Sequence, residues 1–161
     1  MAVHKLILDD VFDESVFTLI AIHSTIEDYR LAYLLNRFLG INLVRFEFDL
    51  DFNHGKTAYS LYKWKDKKQL INWNLVSNIC KIYDNSQINN NSLFETASTV
   101  TKTFNLIPEL NNVNYLLKID EELEPSEYKE IIKKILNIPQ IATAYAVNYN
   151  QLKSKDNLIF S

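Results

Sequence analysis

The sequence predicts a single α+β domain, a mainly antiparallel β-sheet with two helices packed on one face. Short runs rich in Val, Ile, Phe and Thr recur between polar turns, which is typical of strands linked by hairpins. Two stretches, residues 24–40 and 125–136, instead carry apolar residues at helical spacing. No linker divides the 161 residues, so residues 1–161 are assigned to one domain.

The first part of the chain predicts two strands and a helix. Val3 to Leu8 is a short apolar run, and Val16 to Ile22 is a continuous one, typical of a strand covered on both faces. Ser24 with Glu27 is a capping-box pattern, so the helix is expected to start at Ser24; Gly40 is expected to end it. The helix should face the core with Leu31, Leu34, Leu35 and Phe38.

The middle of the chain predicts three strands. Residues 43–52 alternate apolar and charged side chains, which indicates one half-exposed strand. Thr57 to Lys65 and Leu70 to Tyr83 form a predicted hairpin around residues 66–69. Residues 84–92 are polar and are predicted to be a mobile loop.

The last part predicts three strands and the second helix. Thr99 to Ile107 and Val113 to Ile119 are strands by β-branched content. A helix should start at Pro125, where the missing N–H is harmless, and stop at Ile138-Pro139. Ala142 to Tyr149 is the last strand, and residues 150–161 form a C-terminal tail.

Composition excludes several classes of protein. The chain has two glycines, where average usage would give about eleven, so glycine-rich phosphate loops and the serine nucleophile elbow are absent. A net charge of −3 argues against a nucleic-acid binder held by bulk electrostatics. The single cysteine, Cys80, forbids an internal disulfide and fits a reducing compartment. With neither a leader nor an apolar run long enough to span a membrane, the protein is expected to be cytoplasmic.

One short motif resembles a known signature. Ile107, Pro108 and Glu109, then three residues, then Val113, Asn114 and Tyr115 are similar to the motif of the IPExxxVDY family, a bacterial group of uncharacterised function. The segments HSTIEDYRLAYLLNRFLGI and QLKSKDNLIF also resemble this family, so the likeness extends over the whole chain. These six residues are called the signature residues below.

The signature residues are interpreted as structural, with a binding role for Glu109 as the alternative. Pro108 forces Ile107 into extended geometry, and Val113 and Tyr115 share one face of the next strand. The family has Asp where this chain has Asn114, and an amide cannot exchange a proton near neutral pH. Position 114 is therefore not expected to be a general acid or base.

A pocket could form where the first helix begins. His23 follows a buried strand, Glu27 lies one turn on, and Arg30 and Arg37 are on the same helix. His23 and Glu27 could act as an acid–base pair on a small molecule. The alternative is that His23 is structural and Glu27 only caps the helix.

A second candidate surface is the lysine hairpin of residues 59–73. It gathers Lys63, Lys65, Lys67 and Lys68 around Tyr62, Trp64 and Trp73, and Lys153 and Lys155 could extend it. Lysines and aromatic rings together are typical of single-stranded RNA binding. A basic turn over an aromatic core would give the same pattern, because Lys63 and Lys65 share one strand face and Tyr62 and Trp64 the other.

No pattern predicts a metal or cofactor site. Glu47, Asp49 and Asp51 alternate along one strand about 6.5–7 Å apart, too far for one ion without another segment. His4, His23 and His54 show no zinc spacing with each other or with Cys80. The sequence therefore favours a non-enzymatic domain whose partner is another protein; RNA is the alternative partner, no membrane is involved, and the oligomeric state is open.

Overall fold

A computed structural model describes residues 15–84 and 100–160. Within these ranges the strands are β1 Thr18–His23, β2 Val44–Arg45, β3 Leu50–Phe52, β4 Thr57–Tyr59, β5 Leu61–Asp66, β6 Ile71–Ser77, β7 Ile79–Asp84, β8 Val100–Asn105, β9 Tyr115–Ile119 and β10 Thr143–Val147. The helices are α1 Asp28–Leu39 and α2 Pro125–Leu136. Three short 3₁₀ helices cover Pro108–Leu110, Tyr149–Gln151 and Lys155–Leu158.

Six strands form the main sheet, in the order β10-β1-β9-β6-β5-β2, and every neighbouring pair is antiparallel. Strands β3 and β4 pair with each other in a second, two-stranded sheet, and β7 and β8 form a third. Residues Thr18 to Ile22 of β1 are all buried, as the uninterrupted apolar run predicts. The α+β class with a mainly antiparallel sheet is confirmed.

Both helices pack on one side of the sheet, here called the helix face. Leu31 and Leu35 of α1 and Ile135 of α2 join Ile20, Leu75 and Leu117 of the strands in one buried cluster. Alternate strand residues point into this cluster because successive side chains leave opposite faces of a strand.

The other side of the sheet, the opposite face, has its own core. Leu19, Leu61, Val76 and Leu116 meet Ile107 there, together with Leu152 and Leu158 from residues 148–160. Those thirteen residues, called the C-terminal segment, therefore cover the face that the helices leave open, although the sequence analysis treats the chain from residue 150 onward as a tail.

The predicted start of the first helix is wrong. The helix begins at Asp28 with Glu27 as its N-cap, and Ser24 lies outside it. Ser24 is buried, and its Oγ donates to the carbonyl oxygen of Gln140 at 2.9 Å. A capping pattern predicts only local contacts, whereas this hydroxyl is used to join the β1–α1 loop to the α2–β10 loop.

The predicted apolar stripe of α1 is only partly correct. Leu31 and Leu35 are fully buried, Leu34 is partly buried, and Phe38 is 37% exposed. Ala32 completes the buried surface instead. The buried side of the helix is therefore the one with Leu31, Ala32 and Leu35, which pack in one cluster with residues of α2 and of the strands.

The single predicted strand over residues 43–52 is also wrong. Five positions separate Arg45 from Leu50, whereas three separate their partners Tyr62 and Tyr59, so two extra residues bulge out between β2 and β3. Arg45 bridges this bulge through an ion pair with Asp49 and a hydrogen bond of 3.3 Å to the carbonyl oxygen of Leu61.

The predicted hairpin around residues 66–69 is confirmed, since Asp66 pairs with Ile71. Each of its arms is interrupted, at Ser60 and at Asn78. The predicted strand Val3 to Leu8 and residues 85–92 of the predicted loop lie outside the described residues, and Asp84 belongs to β7. In the part of the chain that the structure describes, neither helix has the length and apolar character needed to cross a membrane.

Candidate functional site

The signature residues form a turn that is organised by Asn78, which the sequence analysis did not select. The buried side chain of Asn78 accepts a hydrogen bond from the N–H of Ile107 at 2.8 Å. Its Nδ2 donates to the carbonyl oxygens of Leu110 at 2.8 Å and Val113 at 2.9 Å. A polar Asn within an apolar strand pattern was the available signal, because a buried amide must find partners.

Two further signature residues connect β9 to the start of α1. Asn114 Oδ1 accepts a hydrogen bond from the N–H of Ser24 at 2.9 Å. The hydroxyl of Tyr115 donates to the carbonyl oxygen of Ile26 at 2.6 Å. Burial, and then the carboxylates of Asp28 and Glu27, raise the pKa of Tyr115 to about 12. Tyr115 therefore stays protonated and remains a hydrogen-bond donor near neutral pH.

Glu109 connects the signature turn to the C-terminal segment. Its Oε1 accepts hydrogen bonds from the backbone N–H of Ser154 at 3.0 Å and from the Ser154 hydroxyl at 3.2 Å. Hydrogen bonds to the carboxylate lower the pKa of Glu109. The largest contribution comes from the backbone N–H of Glu109 itself, and the Ser154 hydroxyl is the next group that lowers it. The signature residues thus contact three separate parts of the chain, and both their structural interpretation and a binding role for Glu109 stay predictions.

The four residues of the predicted pocket do not converge on one cavity. His23 Nε2 lies 3.1 Å from the hydroxyl of Tyr145 on β10. Glu27 and Arg30 form an exposed ion pair at 3.5 Å, and Arg37 is exposed in the last turn of α1. A cleft of about 370 Å³ does open beside them, but other residues line it, mainly Ser24, Thr25, Ser77, Lys81, Asn114 and Tyr115.

In the lysine hairpin, the aromatic rings and the strand lysines lie on different faces of the sheet. Tyr62 and Trp73 are buried in the helix-face core, and Trp64 packs against it. Lys63 Nζ instead lies 4.1 Å from the ring centroid of Phe46, which packs on the opposite face. The three rings are therefore used for packing, and RNA binding by this hairpin stays a prediction.

Lys65, Lys67, Lys68, Lys153 and Lys155 are all exposed. Across residues 15–84 and 100–160, no group of three or more His, Cys, Asp or Glu side chains could hold a metal ion.

The two edges of the main sheet differ in how they are protected. The β2 edge has two residues, one of them Arg45, and ends in the bulge described above. Charged residues, bulges and short length are the usual means of preventing another chain from pairing with an edge strand. The β10 edge has five residues, Thr-Ala-Tyr-Ala-Val, with no charge and no proline. Among the described residues, no strand lies on its outer side.

No protein-family model, curated protein or solved structure matches this chain. The likeness to the IPExxxVDY family therefore stays a prediction from the signature residues.

Proposed function

We propose that this protein is a non-enzymatic protein-binding domain that pairs an extended segment of a partner protein with β10. The observation that carries the proposal is that no strand of residues 15–84 and 100–160 pairs with the outer side of β10, whereas the other edge of the sheet is short and bulged. Strand addition of this kind derives its affinity from main-chain hydrogen bonds and its specificity from alternate side chains.

The body of the domain holds β10 firmly enough to act as a template. Five residues of β10 pair in register with β1, from Thr143 with His23 to Val147 with Leu19. Ala144 is buried in the helix-face core, which also contains Ile135 of α2. A preformed strand of this kind pays little ordering entropy when a second strand pairs with it.

The side chains of β10 favour an uncharged partner segment. Thr143, Tyr145 and Ala146 are exposed, and Tyr145 keeps 41% of its surface accessible while its hydroxyl contacts His23. A charged partner side chain placed opposite these residues would lose hydration without gaining an ion pair. The proposed partner is therefore a protein with an extended segment of alternating small and apolar residues.

The test compares two Ala-to-Lys variants of the full chain. Ala146→Lys places a charge on β10, and the matched control Ala58→Lys places one at an exposed position on β4, outside the main sheet. Partners are captured from native cells with wild type and with each variant. A peptide that covers the extended segment of the captured partner is then titrated against wild type, Ala146→Lys and Ala58→Lys. We expect Ala146→Lys to weaken peptide binding at least tenfold and Ala58→Lys to leave it unchanged.

Equal binding by both variants would show that β10 is not the binding surface. Sedimentation provides a second readout: a wild-type dimer that becomes a monomer in Ala146→Lys would mean that a second copy of this chain occupies the edge. That result would overturn the proposal of a different partner protein. Loss of the captured partner after ribonuclease treatment would also overturn the proposal, because it would show that RNA links the two proteins.

A further inference from the structure

A large cleft lies between two hairpins, away from β10 and from the signature residues. One wall is the β3–β4 turn with His54 and Lys56, and the other is the β7–β8 hairpin with Ile82, Lys102 and Phe104. Its volume of about 950 Å³ lies within the range of sites that hold small molecules. No residue of this cleft was selected from the sequence.

The charged groups of the cleft favour an anion. Lys56 and Lys102 approach from opposite walls, and His54 adds a side chain that becomes cationic when protonated. Asp84 is the carboxylate in the lining, and its Oδ2 lies 4.0 Å from Lys102 Nζ. Lysines thus outnumber carboxylates here, although the whole chain carries a net charge of −3.

Apolar groups line the same cleft. Ile82 pairs with Lys102, and Cys80 pairs with Phe104, so Ile82 and Phe104 project from the same face of the β7–β8 hairpin as Lys102. The side chain of Phe104 remains 37% exposed, whereas Tyr83 pairs with Thr101 and its side chain leaves the other face of the ladder. An accessible ring beside two lysines can contact a flat apolar group while the lysines neutralise an attached charge.

The backbone of the β3–β4 turn is held in an uncommon conformation. Asn53, His54 and Gly55 have φ angles of 54°, 58° and 77°, three left-handed residues in succession. Asn and His are among the non-glycine residues that adopt this region most readily, so the sequence suits the turn that joins β3 to β4. The turn directs His54 and Lys56 toward the cleft.

We propose that this cleft binds a small anionic molecule that carries an aromatic ring system. The proposal is independent of β10 and of the protein-binding function argued above. It requires both parts of the ligand: the anionic group for Lys56 and Lys102, and the ring for Phe104.

The test is a titration of the ¹⁵N-labelled full chain with two anionic aromatic compounds, AMP and 1-naphthoate. Their uncharged counterparts, adenosine and 1-naphthamide, and inorganic phosphate are titrated in parallel. We expect one of the two anions to bind with a Kd below 1 mM and to shift amide signals in residues 53–57, 82–84 and 102–104. The uncharged counterparts and phosphate should bind at least tenfold more weakly.

Two double variants with the same change in charge distinguish binding in the cleft from a non-specific attraction of the anion to surface lysines. Lys56→Gln with Lys102→Gln should weaken the anion at least tenfold, whereas Lys65→Gln with Lys67→Gln, exposed lysines of the β5–β6 hairpin, should not. Because Lys102 pairs with Asp84, Lys56→Gln alone is measured as well and should show a smaller loss in the same direction. Binding of neither anion, equal losses in both double variants, or signal shifts outside the cleft would overturn the proposal.

Discussion

Asn78 marks the point at which β6 ends and β7 begins, and its amide replaces the strand pairing that is lost there. The side chain makes three hydrogen bonds, and the backbone makes two more, from its N–H to Asn114 and from Leu106 to its carbonyl oxygen. Between 28 and 36 positions of sequence separate Asn78 from these partners, so this one residue joins two distant segments.

We expect Asn78→Ala to destabilise the fold by about 2 kcal/mol or more. The substitution leaves the buried N–H of Ile107 and the carbonyl oxygen of Val113 without their side-chain partner, while the carbonyl oxygen of Leu110 keeps the N–H of Val113 at 3.0 Å. Each unsatisfied group costs about 1–3 kcal/mol. Urea unfolding measures the loss. Asn72→Ala, at an exposed position on β6, is the control and should change stability by less than about 0.5 kcal/mol. Equal effects of the two substitutions would contradict the role of Asn78.

Tyr115 gives the fold a predictable response to alkaline pH. Its pKa rises from 10.0 to about 12 on folding, so the folded chain keeps the phenol proton after the unfolded chain has lost it. The unfolded state then binds fewer protons, and stability falls as the pH rises. The loss is absent below pH 10, grows between pH 10 and 12, and amounts to about 2–3 kcal/mol when complete.

The comparison of wild type with Tyr115→Phe isolates this effect. At pH 8 the variant should be about 1 kcal/mol less stable, because it lacks the hydrogen bond to Ile26. It cannot lose a proton at this position, so the two curves of stability against pH should converge above pH 10 and then cross, because the alkaline loss of about 2–3 kcal/mol in wild type exceeds the difference of about 1 kcal/mol at pH 8. Parallel curves would mean that Tyr115 titrates with an ordinary pKa.

For the α1 element, the structure decides which leucines carry the packing. We expect Leu35→Ala to cost about 2–5 kcal/mol, because the side chain is fully buried, and Leu34→Ala to cost at least about 1 kcal/mol less. Both substitutions remove the same atoms from adjacent helical positions, so helix propensity cancels in the comparison. Urea unfolding measures both losses. A larger loss of stability in Leu34→Ala than in Leu35→Ala would contradict the orientation of α1 described above.

For the whole molecule, the C-terminal segment is expected to be essential for folding. Deleting the chain after Gln151 removes Leu152 and Leu158 from the opposite-face core, each of which contributes about 1.5–3 kcal/mol by burial. It also removes the hydrogen bond from Asn157 to the carbonyl oxygen of Leu106 and those from Ser154 to Glu109. Since whole domains are stable by only about 5–15 kcal/mol, the shortened chain should be largely unfolded by circular dichroism.

The matched control keeps the segment and changes only its exposed charges. Lys153→Gln with Lys155→Gln should leave the unfolding free energy within about 0.5 kcal/mol of wild type. A shortened chain that melted like this variant would show that the segment is a dispensable tail.

The sequence by itself determined the class of fold, because that class follows from local periodicity. The apolar run before His23, the helical spacing after Pro125 and the hairpin around residues 66–69 each depend on neighbours a few positions away, and each is present in the structure.

Only the tertiary structure decided the features on which the proposals depend. The bulge after Arg45 follows from pairing with β4 and β5, and the use of Ser24 follows from its contact with Gln140, 116 positions away. Within the described residues, the position of β10 at the edge of the sheet and the cleft between Lys56 and Lys102 exist because segments far apart in sequence become neighbours. Local patterns cannot specify such contacts, since an isolated residue gives no indication of which distant segment it will meet.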